Sequence, residues 1–167
     1  MASIHEGYEF LEPLHPFDRI TWWIGAVARE SAQLELTCAL IATALQQQGK
    51  TRVTAEKDKT LGHAIRELKK LCVRCDIRSV APSSADEILA WASGLEPLSN
   101  RRNRTMHDVV AWSRDGHIAF GSADALSDAG RPVTESDLAT LRRDIERVTR
   151  RGEDLWSRAD QEWRPRV

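Results

Sequence analysis

The chain has 167 residues, 41% hydrophobic and 29% charged, which is one domain's length with enough apolar residues to bury a core. Its 24 Lys+Arg against 25 Asp+Glu leave a net charge of −1, so no global basic field exists to recruit nucleic acid, and any such contact must come from a local cluster. No apolar run approaches the roughly 20 residues that span a bilayer, and the first residues, Met-Ala-Ser-Ile-His-Glu-Gly, lack the basic and apolar regions of a signal peptide, so no membrane contact and a cytoplasmic location are expected.

Residues 1–16 contain Pro13 and Pro16 and have no clean period; they read as an N-terminal arm, and residues 17–167 as one helical domain. From Phe17 to Gln48, the residues Ile20, Ile24, Val27, Ser31, Leu34, Cys38, Ile41 and Leu45 alternate spacings of four and three, the mark of a helix. Trp22, Trp23, Leu36 and Leu40 widen its apolar surface, as in a helix with two neighbours. Gly49 is a stop signal, and the charged stretch Lys50 to Lys59 reads as a loop. A second helix is expected from Thr60 to Cys75, with Leu61, Ile65, Leu68 and Leu71 or Cys72 inward and Arg66, Lys69, Lys70 and Arg74 facing water.

Val80-Ala81-Pro82-Ser83 interrupts the pattern, and Ser83 or Ser84 then caps a third helix with Ile88, Leu89, Trp91, Ala92 and Leu95 on its core face. Gly94 and Pro97 predict a kink or a break, with helix resuming from Leu98 to about His107. Val109 to Trp112 and His117 to Phe120 flank an Asp115-Gly116 turn, a hairpin pattern, and Gly121 to Pro132 reads as loop. Thr134, with Asp137 three residues on, caps a last helix that keeps its period through Leu138, Leu141, Ile145, Val148 and Leu155 to about Trp156. The expected fold is all-α: a bundle of four to five helices with a short β-hairpin inserted before the last one.

The least ordinary stretch is Asn100 to Asp108, where Arg101, Arg102, Asn103, Arg104 and His107 crowd together. On a helix Asn103 and His107 share a face. Arg102 and His107 are about 140° apart around the axis and converge only if the helix ends or bends near His107, or if a second subunit brings another copy. The set suits RNA. Arginine gives a permanent charge and a fork for phosphate. Histidine exchanges a proton near neutral pH, and asparagine orients either one. The plainer account is an arginine-rich helix end paired with acidic neighbours, with His107 as a cap.

Arg102-Asn103-x-x-x-His107 matches the R-[polar]-x-x-x-H motif, and with the apolar helix before it and the long helix after it the chain resembles the HEPN domain family in outline over residues 17–160. The resemblance implies a helical bundle that dimerises, with two motif copies in one cleft. It also implies metal-independent endoribonuclease activity without a cofactor, of the kind found in toxin–antitoxin and other defence systems. Arg102 and His107 would be the catalytic pair and Asn103 their support. Arg101, Arg104 and Trp112 would contact RNA, while Met106 and the spare apolar face of the first helix would bury the dimer contact. An antitoxin or a nucleotidyltransferase is the partner that such a family implies. Asp108 stands where many relatives carry a small residue; its carboxylate would raise the pKa of His107 or repel RNA. Some domains of this family are not catalytic and bind a nucleotide or a partner protein instead.

Other features read as structural. Cys72-Val73-Arg74-Cys75 has no second ligand pair for zinc and no strand–helix context for redox work, and three cysteines are too few for a disulfide framework. His63, four before Glu67, reads as a surface residue and His117 as a hairpin residue. Trp22, Trp23 and Trp91 fit a core or a dimer interface. Arg142, Arg143, Arg147, Arg150 and Arg151 interleave with Asp144, Glu146 and Glu153, the spacing of intrahelical salt bridges.

Overall fold

The longest helix, α1, covers Pro16–Gln48. The computed structural model describes residues 7–48, 60–74, 82–107, 109–112, 118–121, 131–132 and 134–163. Along α1, Ile20, Trp23, Val27, Ser31, Leu34, Cys38, Ile41 and Leu45 are buried, and their spacing of three and four keeps one stripe on the core. Trp23 takes the place expected of Ile24, which is half-buried beside it. The wider apolar surface divides: Trp22 is half-buried, whereas Leu36 and Leu40 remain 52% and 40% exposed. Ser31 is tolerated in the stripe because its hydroxyl donates to Val27 O at 2.7 Å.

Helix α2 (Leu61–Cys72) buries Leu61, Ile65, Leu68, Leu71 and Cys72. It ends short of the expected Cys75, as Val73 leaves the helix and Arg74 N–H closes on Leu71 O at 3.2 Å. Helix α3 (Pro82–Gly94) starts at a proline, whose fixed φ and missing N–H suit a first turn. Helix α4 (Glu96–His107) follows after the single residue Leu95, so Gly94 and Pro97 mark a break and not a kink, and helix resumes two residues before Leu98. Leu95 is fully buried at the corner. Pro97 lies in the first turn of α4, where an absent N–H breaks no helical bond.

After α4, β1 (Val109–Trp112) pairs antiparallel with β2 (Ile118–Gly121), and β2 with β3 (Arg131–Pro132). Pro132, expected in a loop, sits in this edge strand, where a missing N–H costs least. The turn around Asp115-Gly116, His117, the expected loops at 50–59 and 122–130, Gly49, Cys75, Val80, Ala81 and Asp108 lie outside the described residues.

Helix α5 (Glu135–Trp163) packs along α1 more extensively than any other pair of elements. It runs seven residues past the expected end at Trp156, because Ala159, 1% exposed, keeps the buried stripe of Ile145, Gly152 and Leu155 going. Arg158 also holds Glu87 of α3 at 2.8 Å. The main core joins α1, α2, α3 and α5. A second cluster joins Leu11, Ile20, Trp23, Ala26, Leu138 and Ala139 under a cap of Tyr8 and Trp22. Tyr8 meets Trp23 at a tilt at 5.0 Å and Trp22 edge-on at 5.2 Å, which with buried Leu11 seats the arm on α1 and α5. Among the described residues no helix is long and apolar enough to cross a membrane.

Candidate functional site

The motif occupies the last turns of α4, and three packing contacts aim it. Ser99, buried one turn before Arg102–Asn103, stands over Gly62 in the first turn of α2. A Cβ at Gly62 would stand 3.6 Å from Ser99 Oγ, so the two helices touch there. On the α5 side, Arg101 donates from Nη1 to Asp144 Oδ2 at 3.0 Å. On the α1 side, Arg102 reaches Glu35. Together these fix the rotation of α4, with Arg102 toward the α1–α2 corner and Arg101 toward α5.

Arg102 is the most enclosed of the three arginines, with 17% of its side chain exposed. Its Nη1 donates to Asn103 Oδ1 at 3.2 Å, and its Nη2 lies 3.4 Å from Glu35 Oε1. Its Nε is buried with no hydrogen-bond partner among the described residues. The guanidinium plane is therefore held by two acceptors, one on each terminal nitrogen. Asn103 thus accepts from the arginine beside it in the chain.

Glu35 was not among the expected site residues. Its Oε1 also accepts the backbone N–H of Leu61 at 3.2 Å, satisfying a donor at the start of α2 that the helix itself leaves unpaired. A signal for it exists in the sequence: a lone carboxylate beside Leu34, within the stripe Ser31–Leu34–Cys38 that otherwise faces the core. One turn on, the Cys38 thiol is pushed up to about 12, first by burial and then by the Glu35 charge. Cys38 is thus a thiol at neutral pH and no nucleophile.

Arg104 is exposed on the outer side of α4. His107 is the last residue of α4 and Trp112 the last of β1. The side chains of Met106, His107 and Trp112 lie outside the described residues. Arg102, Asn103 and Arg101 are thus placed by side-chain contacts, and His107 by backbone alone, five residues beyond Arg102 at the helix end.

The remaining candidates have structural surroundings. Cys72 is fully buried in the main core. Trp91 is buried and donates from Nε1 to Val148 O at 2.9 Å. His63 lies 3.8 Å from Glu67 on the rim of α2. On α5, Arg147 reaches Asp144 at 3.3 Å and Arg150 reaches Glu146 at 2.6 Å, the intrahelical pairing expected. Arg142 does more: it bridges Glu30 of α1 at 3.4 Å, bonds the Tyr8 hydroxyl and lies over its ring, pinning the arm.

No family model, curated protein or solved structure matches the chain.

Proposed function

We propose that the protein is a metal-independent endoribonuclease of the HEPN type, acting as a homodimer and serving as a toxin or defence effector in the cytoplasm. What supports the reading is the state of Arg102: a permanent cation held in one orientation by Asn103 and Glu35, five residues before the helix terminates on His107. That arrangement matches the chemistry of a metal-free ribonuclease. The ribose 2′-hydroxyl loses its proton and attacks phosphorus, the 5′-oxygen leaves with a proton, and a 2′,3′-cyclic phosphate remains. His107 takes or gives the proton, Arg102 holds the charge that builds on the phosphate, and Asn103 orients the arginine. Arg101 and Arg104 add local charge for RNA in a chain whose net charge is only −1. The β1–β2 pair that follows the motif carries Trp112, which would stack on a base.

The test is cleavage of total RNA and tRNA in EDTA by the wild type, His107→Ala and Arg102→Ala. Wild-type activity with cyclic-phosphate ends is expected, and each substitution should lower it by about 10²–10⁴-fold. No wild-type cleavage, or equal cleavage by the folded variants, refutes the reading. A second reading is favoured by the Arg102–Glu35 and Arg101–Asp144 pairs, which engage two motif arginines inside the subunit. Under it the protein is a non-catalytic HEPN-like module that binds a nucleotide or a partner protein, such as an antitoxin or a nucleotidyltransferase. His107→Ala and Arg102→Ala would then leave its cellular effect intact.

A further inference from the structure

We infer that Glu35 of α1 is the positioning residue of the site: one carboxylate oxygen sets the Arg102 guanidinium by tying it to the start of α2. The inference deepens the ribonuclease reading and rests on it for its catalytic consequence. Glu35 Oε1 stands 3.4 Å from Arg102 Nη2 and 3.2 Å from the Leu61 nitrogen, so a single oxygen joins α1, α2 and α4. Asn103 holds the other terminal nitrogen at 3.2 Å. An arginine side chain with one fixed acceptor still swings about its long stem; two acceptors on different terminal nitrogens fix the plane. Each Nη carries two N–H groups, so among the described residues one donor on each remains for a phosphate after Glu35 and Asn103 are served. Asn103 is the neighbour of Arg102 on the same helix and moves with it. Glu35 comes from another helix, so among the described residues it is the contact that fixes the guanidinium relative to the rest of the bundle.

A carboxylate that only caps α2 would affect stability and nothing else. The two roles separate in three full-length proteins: wild type, Glu35→Gln and Glu35→Ala. Glutamine keeps an acceptor oxygen for both bonds, and alanine keeps none. The first readout needs no cleavage. Arginine-specific modification by phenylglyoxal is followed at Arg102 by peptide mass spectrometry, with exposed Arg104 as the internal reference. Arg102 should react about tenfold faster in Glu35→Ala, the factor carried by the loss of one charge-assisted hydrogen bond. Arg104 should be unchanged, and Glu35→Gln should stay near wild type. An unchanged rate at Arg102, an equal rise at both arginines, or a glutamine variant as reactive as alanine overturns the inference.

The second readout is RNA cleavage below the melting temperature of all three proteins. Glu35→Ala should lower kcat by about 10²-fold, the scale of a small misplacement of a reacting group, with a lesser change in KM. Glu35→Gln should restore most of kcat. Wild-type cleavage that survives Glu35→Ala overturns the positioning role and leaves the ribonuclease reading standing. Faster labelling of Arg102 in a protein that cleaves no RNA sinks the ribonuclease reading and leaves the positioning role standing.

Discussion

Gly152 is buried on α5 opposite Trp91 and Thr37, and a Cβ there would stand 2.8 Å from Thr37 Cγ2 and overlap the Trp91 ring. The ring cannot easily give way, since Nε1 is committed to Val148 O. Alanine normally improves a helix interior by about 1 kcal/mol over glycine, but overpacking of this kind costs about 1–3 kcal/mol. Gly152→Ala should therefore lower stability and Tm in thermal melts, whereas Gly25→Ala, with nothing within 4 Å of its Cβ, should raise them. Cys38 gives a second prediction at this scale. Burial first, and the Glu35 charge second, raise its thiol from 9.0 to about 12. Between those values the unfolded chain releases a proton that the folded protein keeps, so this group's contribution to stability is constant below pH 9 and falls as pH rises toward 12. Urea midpoints from pH 8 to 10.5 should fall less steeply for Cys38→Ala than for wild type; parallel slopes would refute the assignment. Single contacts were legible where both partners are neighbours in sequence, as with Asn103 beside Arg102. Glu35 lies 67 positions from Arg102, and only the crossing of α1 and α4 brings them together.

At the scale of elements, the helices were readable because each carries a buried stripe at three-four spacing, and the misreadings lie at their ends. Leu95 shows why. It continues the apolar period of α3, yet as the buried corner residue it belongs to neither helix, and only packing decides that. The end of α5 was read too early because Gly152 and Ala159 are small and carry little hydrophobic signal, although both are buried. The start of α5 was legible from chemistry alone. Thr134 Oγ1 accepts the Asp137 N–H at 3.1 Å, and Asp137 Oδ2 accepts the Thr134 N–H at 3.1 Å, a reciprocal capping box. Thr134→Ala should cost about 1 kcal/mol in urea unfolding. Thr134→Ser should cost a few tenths at most, because it keeps the oxygen. A double-mutant cycle with Asp137→Ala should show non-additivity, since each residue serves the other's backbone.

At the scale of the whole molecule, the sequence conveyed a helical bundle with a motif on its penultimate helix, but the partner of that motif is a matter of surface. Leu36 and Leu40 lie one turn apart on α1 and stay exposed, outside the stripe that the helix buries. Leu36 follows Glu35 in α1, the residue whose carboxylate lies 3.4 Å from Arg102. The proposed cleft, shared by two motif copies, would need an apolar interface, and these exposed leucines are where α1 would supply one. Replacing exposed leucines by glutamate perturbs the folded subunit little, since substitutions away from packed features shift stability by about 0.5 kcal/mol or less. It does place charge in any apolar contact that the face makes. Under the proposed homodimeric ribonuclease, the double variant Leu36→Glu/Leu40→Glu should keep a wild-type melt, sediment at half the wild-type mass and lose RNA cleavage together with dimerisation. Loss of the dimer with full activity would mean that one copy of the motif suffices. A wild-type chain that sediments as a monomer at micromolar concentration would remove the shared cleft altogether, and with it the only arrangement besides a bent helix end that brings Arg102 and His107, about 140° apart on α4, onto one phosphate.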